Sequence, residues 1–212
     1  RQGLIRDGQR ETTWKRMLQP ALARGNVHVQ TDAQVARFTV ENGRATGVEL
    51  TDGRRIGARA EVILSAGTVQ TPQLLLLSGI GPAAHLGDHG IAARCDRPGV
   101  GQNLQDHLQL RTIYKVKGAR TLNTDYARLI GKLGMGMDYV FRRRGALTMA
   151  PSQLGLFTRS NPRYERANIQ YHVQPLSLEK FGDPLHAFPA FTASVANLRT
   201  TSRGAITLKS SD

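Results

Sequence analysis

The chain has 212 residues, 40% of them hydrophobic, and a formal net charge of +13. This is enough apolar material for one large core or two small ones, and no apolar run approaches the roughly 20 residues needed to span a bilayer. So basic a balance invites a nucleic acid or an anionic surface as partner, but the arginines scatter from Arg1 to Arg203 without a basic stripe interleaved with aromatics, so nucleic acid is set aside.

An amphipathic helix is predicted over 10–24, where Trp14, Met17, Leu18, Ala21 and Leu22 recur at helical spacing. Short strands follow over 27–31, 34–41 and 44–51; Asn42-Gly43 between the last two is a hairpin signal, and Asp52-Gly53 marks a further turn. Val62, Ile63 and Leu64 in a row predict a strand over 61–65 buried on both faces, and Ala66-Gly67 removes side chains where the backbone must turn. Thr71-Pro72 reads as a helix start, a hydroxyl cap before a proline in the first turn, giving a helix over 73–78 stopped by Gly79. A strand, a glycine turn and a helix in that order leave free N–H groups where a phosphate can sit.

After His107 the pattern changes to longer strands around one helix. Strands are predicted over 108–116, 154–159, 169–174, 188–198 and 205–209, completing one antiparallel sheet, with a helix over 125–141 interrupted by Gly134 and Gly136. The run Arg142-Arg143-Arg144 closes that helix, where cations complement the macrodipole. The fold class is α+β, divided near Asp106 into residues 1–106 and 107–212. Cys95 is the one cysteine, which excludes an intramolecular disulfide and accords with a reducing cytoplasm.

Two competing motifs need weighing. Gly79-Ile80-Gly81-Pro82-Ala83-Ala84 satisfies a G-x-G-x-x-A dinucleotide fingerprint, but the leucine run before it lacks β-branched residues and follows a helix start, and Pro82 removes a donor. His85 and His89, four apart, could join Cys95 at a metal, but no carboxylate or second cysteine has the matching spacing, so no metal is expected.

The stretch from Glu61 to His107 carries three sub-motifs in a fixed order: Ser65-Ala66-Gly67; Thr71-Pro72-Gln73-Leu74-Leu75 leading to Ser78-Gly79-Ile80-Gly81-Pro82; and Pro98-Gly99-Val100-Gly101 followed by Asn103-Leu104-Gln105-Asp106-His107. It resembles the glucose-methanol-choline (GMC) flavoprotein oxidoreductases. Arg1-Gln2-Gly3, Leu198-Arg199 and Ser202-Arg203-Gly204 extend the resemblance, and the chain looks like the middle of a longer protein. Ser152-Gln153, after Met149-Ala150-Pro151, is similar to a loop of the aliphatic-alcohol branch, and the whole is closest by eye to bacterial alcohol and choline dehydrogenases of that family.

The resemblance implies a partial FAD-binding domain over 1–106 and a partial antiparallel substrate domain over 107–212. It implies FAD as cofactor, a small alcohol as substrate, quinone or oxygen as electron acceptor, and a cytoplasmic or inner-membrane-peripheral location. Val35 lines up with the residue that meets the adenine edge through its backbone, Ala66 and Gly67 with the turn against the cofactor, and Asn103 and His107 with the loop beside it. The catalytic histidine and its His or Asn partner are implied to lie beyond Asp212, so no catalytic residue is assigned within the chain. His172 shares one strand face with Gln170 and Gln174, which means either solvent or a polar cavity; it and Arg199, which lies either at the pocket or on the surface, are the substrate-binding candidates. A non-catalytic scaffold derived from the same fold is the alternative, ahead of a basic nucleic-acid binder.

Overall fold

The structure, a computed structural model, describes residues 5–150, 152–180 and 182–211. Arg1-Gln2-Gly3 and Pro151, used above, lie outside them. The chain separates into two compact units, one made of residues 29–106 with 201–212 and the other of 1–28 with 107–200. A crossing at 106/107 is thus joined by crossings at 28/29 and 200/201, so the two termini belong to the opposite units from those a single boundary gives them.

In the second of these units the N-terminal segment opens with a two-residue antiparallel ribbon, β1 (Ile5–Arg6) with β2 (Gln9–Arg10). The helix expected over 10–24 is shorter: a π-helical turn over Trp14–Leu18 runs into the four-residue α1 (Gln19–Leu22). Its apolar stripe stays out of the core, with Trp14 and Met17 both exposed. Glu11 anchors its start, accepting bonds from Arg16 at 2.5 and 2.7 Å. No strand forms over 27–31, since no ladder partner lies beside it among the described residues.

The unit of residues 29–106 and 201–212 is built on a three-stranded meander, β3 (Val35–Glu41), β4 (Arg44–Leu50) and β5 (Arg55–Gly57). Asn42 and Gly43 both take positive φ, 50° and 77°, which gives the turn that matches strand twist. Glu49 clasps the meander, accepting bonds from the guanidinium groups of Arg37 and Arg55 on either side. The segment 61–65 is not a strand: no neighbour pairs with it among the described residues, and its burial alternates, with Ile63 exposed.

The helix that follows is longer than expected. α2 (Gly67–Leu77) begins at Gly67, whose φ of 91° only glycine adopts readily, and Pro72 sits inside it, removing one ladder bond to the carbonyl of Thr68. It ends as expected at Gly79, φ 79°, whose N–H donates to the Leu76 carbonyl at 2.9 Å. Beyond it, β6 (Ile80–Gly81) pairs in parallel with β7 (Cys95–Asp96) across the short α3 (Ala83–Asp88). The hexad 79–84 therefore holds a helix stop and a two-residue strand, unlike a dinucleotide turn. Leu76, Leu86 and Leu208 form the core, flanked by Leu77, Ile91 and Val100. Leu208 gets there because 205–209, expected as a strand, is not one: Ile206 donates its N–H to the Gly101 carbonyl at 2.7 Å, and Leu208 donates to Nε2 of His85 at 3.1 Å.

Residues 107–200 carry β8 (Gln109–Lys115), α4 (Leu122–Ala127), α5 (Leu129–Arg142), β9 (Leu154–Thr158), β10 (Ile169–Gln174) and β11 (Ala190–Asn197). One helix expected over 125–141 is two, broken at Arg128, whose φ/ψ of −96°/135° is extended. The break lets Gly131 come so close to the Asp125 carbonyl that a Cβ there would lie 1.9 Å away. The four strands form one antiparallel sheet in the order β8-β11-β10-β9. The loop after β10 is held by Asn123, 1% exposed, whose Nδ2 donates to Ser177 Oγ at 2.8 Å and to the His186 carbonyl at 3.0 Å, while its Oδ1 accepts from the Ser177 N–H at 2.9 Å.

Candidate functional site

Helix α2 is a partition between two open clefts. Ala66, Gln70, Gln73, Leu74 and Leu77 recur at helical spacing along one flank and, with Val35, Arg37, Glu49 and Thr51 of the meander, line a cleft of about 760 Å³. Thr68, Thr71, Pro72 and Leu75 line the opposite flank, where Val100, Asn103, Gln105 and Ile206 close a second cleft of about 460 Å³. Val35 and Ala66, far apart in sequence, therefore share one site. Asn103 is across the helix from them, on a loop where its own φ is 61°.

The N-terminus of α2 opens toward this region with Ala66 as cap and no side chain bonded to the first-turn N–H groups, so those donors are available to a ligand. A Cβ built on Gly67 meets nothing within 4 Å, so glycine is required there by φ and not by any crowding from the protein itself. Gln70 and Gln73, which sequence reasoning passed over, add two amide side chains to the wall that holds Ala66. Their three-residue spacing, with Gln70 four positions after Ala66 and Gln73 four before Leu77, was the available signal. Phe38 ties this wall to the meander, donating its N–H to Ser78 Oγ at 2.8 Å.

The charge nearest the cleft is internally balanced. Glu49 has its carboxyl held below the ordinary carboxylate range by hydrogen bonds from Arg37 and then Arg55, against an opposing effect of desolvation.

The remaining candidates fall in the other unit. His107 is exposed just before β8. His172 is half-buried in the middle of β10, directly between Ser194 of β11 and Gly155 of β9. The face it shares with Gln170 and Gln174 is a covered one at one end, where Gln174 is buried and reaches Ser152 Oγ at 3.4 Å. Arg199 is exposed past the end of β11, its N–H bonded to Asn197 Oδ1 at 3.0 Å. The His85 and His89 rings meet at 4.5 Å between centroids, tilted by 59°, with His89 Nδ1 donating to the His85 carbonyl at 2.9 Å and His85 Nε2 taken by Leu208. Among the described residues no group of three or more His, Cys, Asp or Glu is placed to hold a metal. No helix among them is long and apolar enough to cross a membrane.

Comparison with known proteins accords with this arrangement. The family model described as GMC oxidoreductase matches residues 2–109, just over half of the chain. An oxygen-dependent choline dehydrogenase of Brucella canis is 38% identical over 211 residues, covering 98% of this chain and 38% of its own length. An alcohol dehydrogenase [acceptor] of Pseudomonas putida is 34% identical over 210 residues, again covering 97% of this chain and 38% of its own. The chain thus spans 38% of the length of these curated relatives. Among solved structures, Aspergillus oryzae RIB40 formate oxidase superposes with a TM-score of 0.80 at 23% identity, over 98% of this chain and 41% of that one. An FAD-dependent oxidoreductase from Chaetomium thermophilum gives 0.82 at 20% identity, over 97% and 42%. With a family model over half its residues and the same motifs set around α2, the chain belongs to the GMC oxidoreductase family.

Proposed function

We propose that the chain is the middle portion of an FAD-dependent oxidoreductase acting on the CH–OH group of an alcohol, of the alcohol or choline dehydrogenase type. The observation that carries the reading is the cleft in which Val35 and Ala66 meet beside the uncapped N-terminus of α2. The residues there fit a cofactor that combines phosphates with flat heterocycles: free backbone donors, a glycine turn with open space over it, and an amide-lined wall. In this reading Val35 presents its backbone to the adenine edge, Ala66 and Gly67 bring the chain close to the cofactor without side-chain bulk, and Asn103 and His107 shape the loop alongside. The residues up to Asp106 act as part of the FAD-binding domain, and those from His107 as part of the substrate domain.

Bound flavin would supply the hydride acceptor, and quinone or oxygen would reoxidise it. The chain's own part is binding and exclusion of water. His172 and Arg199 hold the alcohol, and no histidine of this chain is assigned as base. His85 and His89 are spent on each other and on Leu208, and His186 Nδ1 lies 3.0 Å from Ser177 Oγ in the loop scaffold. The proton is taken by a histidine outside the chain. Two preparations test this. The 212-residue chain alone should purify colourless, and the whole protein should carry stoichiometric flavin that bleaches anaerobically with a primary alcohol. A whole protein without flavin, or with flavin that no alcohol reduces, overturns the reading in favour of a scaffold.

A further inference from the structure

Helix α5 turns its apolar side outward. At about 100° per residue Leu129, Ile130, Leu133, Met137, Val140 and Phe141 fall within one arc of about 120°, and all six are exposed, Ile130 by 84% and Phe141 by 80%. The opposite side, with Met135 and Tyr139, is the half-buried one, and no residue of the helix is fully buried. Ile130, Met137 and Phe141 also line a cleft of about 1480 Å³ together with Arg120, Arg128 and Arg142, so there is room beside the arc and positive charge along it.

Cations frame this arc. Residues 120–144 hold six of them, Arg120, Arg128, Lys132, Arg142, Arg143 and Arg144, against two carboxylates, Asp125 and Asp138. The carboxylates pair with Arg120 and Arg142, which leaves Arg128 before the helix, Lys132 within it, and Arg143 and Arg144 after it without a carboxylate among the described residues. Lys132 and Arg143 lie over the Tyr126 and Tyr139 rings, contacts that leave their charge uncancelled. The bare face of the large sheet is different: its cross-strand row Leu110, Val195, Tyr171 and Leu156 is uncharged, as is every other strand residue on that face, which suits burial inside a larger protein. An apolar arc edged by cations suits a surface where apolar depth and negative charge occur together. A second copy does not supply that, since pairing two such helices in either direction sets the cations of one beside those of the other. We infer that α5 docks on the surface of an anionic phospholipid bilayer, its apolar arc at the headgroup–acyl boundary and Arg128, Arg143 and Arg144 against lipid phosphates. At 14 residues the helix is about 21 Å long and lies in the plane of the surface, because about 20 apolar residues are needed to cross. The inference goes beyond the flavin reading and does not depend on it.

The experiment floats the whole protein with two kinds of vesicle, phosphatidylcholine alone and phosphatidylcholine mixed with phosphatidylglycerol at roughly three to one. The protein should bind the mixed vesicles roughly 10-fold or more tightly than the neutral ones at low salt, and the gap should close as added salt screens the headgroups. Arg143→Gln combined with Arg144→Gln should remove most of that gap, each cation being worth about 5-fold near such a surface. Ile130→Glu combined with Phe141→Glu should abolish binding to both kinds of vesicle and leave melting temperature and gel-filtration mass unchanged, because both side chains are exposed. If a part of the protein outside this chain covers the arc, the double glutamate variant loses several degrees or fails to fold; if a second copy covers it, the mass halves. Either result overturns the inference, as does a protein that floats with neither vesicle or that binds the mixed ones equally well after both pairs of changes.

Discussion

Around α2 glycines bring backbone against backbone beside a small leucine core, whereas the large sheet packs through its side-chain faces. A Cβ on Gly79 would come 2.5 Å from the Ala92 carbonyl, and one on Gly101 would come 2.2 Å from that of Ile206. The sheet has two faces of different character, and the covered one holds the buried polar groups Thr192, Ser194 and Gln174. Along β11 Ala190, Thr192, Ser194 and Ala196 are buried, and Gln174 lies opposite Thr192. The other face bears Leu110, Tyr114, Leu154 and Leu156, all exposed, Leu154 by 65%. Hydrophobic burial alone would place these faces the other way round. The difference teaches that glycine spacing in this chain reports local closeness, whereas the alternation of the strands reports a site and a bare apolar face that nothing in these residues covers.

The sharpest break of that comparison is at Gly79. Valine there meets the Ala92 carbonyl and must also hold φ near 79°, so Gly79→Val should cost about 3 kcal/mol or more by combined strain and overpacking. Denaturant unfolding of the whole protein checks it; a loss below about 1 kcal/mol would mean the backbone approach is easily relaxed. The sheet unit should be broken next most strongly at its buried amide. Asn123→Ala leaves the Ser177 N–H and the carbonyls of His186 and Phe188 without their partner, for an expected loss of about 2–3 kcal/mol. Asn123→Asp should be no better, because a carboxylate cannot donate to those carbonyls.

How much of this was legible varied with the range of the forces involved. The Asn42-Gly43 hairpin and the Gly79 helix stop are set by neighbours in sequence and are where the sequence puts them; the span Ile169–Gln174 also agrees, its alternation coinciding with partners on both sides, β9 and β11. Thr71-Pro72 misleads because a proline after a hydroxyl reads as a first-turn residue, while Gly67 lets the helix begin six residues before the expected start at 73. The apolar run 61–65 and the segment 27–31 look like strands, but a strand exists only with a ladder partner, which local sequence does not supply. The joining of Val35 to Ala66 came from family resemblance, and the structure brings the two together. The pairing of β8 with β11, Arg111 opposite Ser194, is invisible before the register is known, because nothing in sequence links residues so far apart.

Gly67 tests whether the open glycine turn serves the fold or the cofactor. With nothing within 4 Å of its would-be Cβ, Gly67→Val should cost the apoprotein only the strain of φ at 91°, about 1–3 kcal/mol. Flavin occupancy should fall much further than that loss explains, which absorbance ratios on the purified whole protein would show. Gly79→Val predicts the reverse, with stability lost first and flavin only as a consequence. Equal ratios of flavin loss to stability loss in the two variants would mean that Gly67 does not face the cofactor.

The smallest expected effect concerns Glu49, whose carboxylate lies between Arg37 and Arg55 on the meander beside the cleft. Its folded-state pKa is held down first by the hydrogen bond from Arg37 and then by that from Arg55. A depressed carboxylate stabilises the fold fully at pH above the ordinary carboxylate range, and the contribution fades as the pH falls through the lowered value. Melting temperature should therefore drop on acidification through and below that range, and Glu49→Gln should flatten this part of the profile while changing little at neutral pH beyond a small decrease. Because both arginines are largely exposed, added salt should shrink the difference between Glu49 and its glutamine variant. Asp52 is likewise held below its ordinary value, by bonds from the Arg54 backbone and side chain, so the comparison must be made in a background where Asp52 is intact in both proteins. An acid limb that Glu49→Gln leaves unchanged would locate the acid sensitivity of this unit in another carboxylate, Asp52 of the β4–β5 turn being the first to replace.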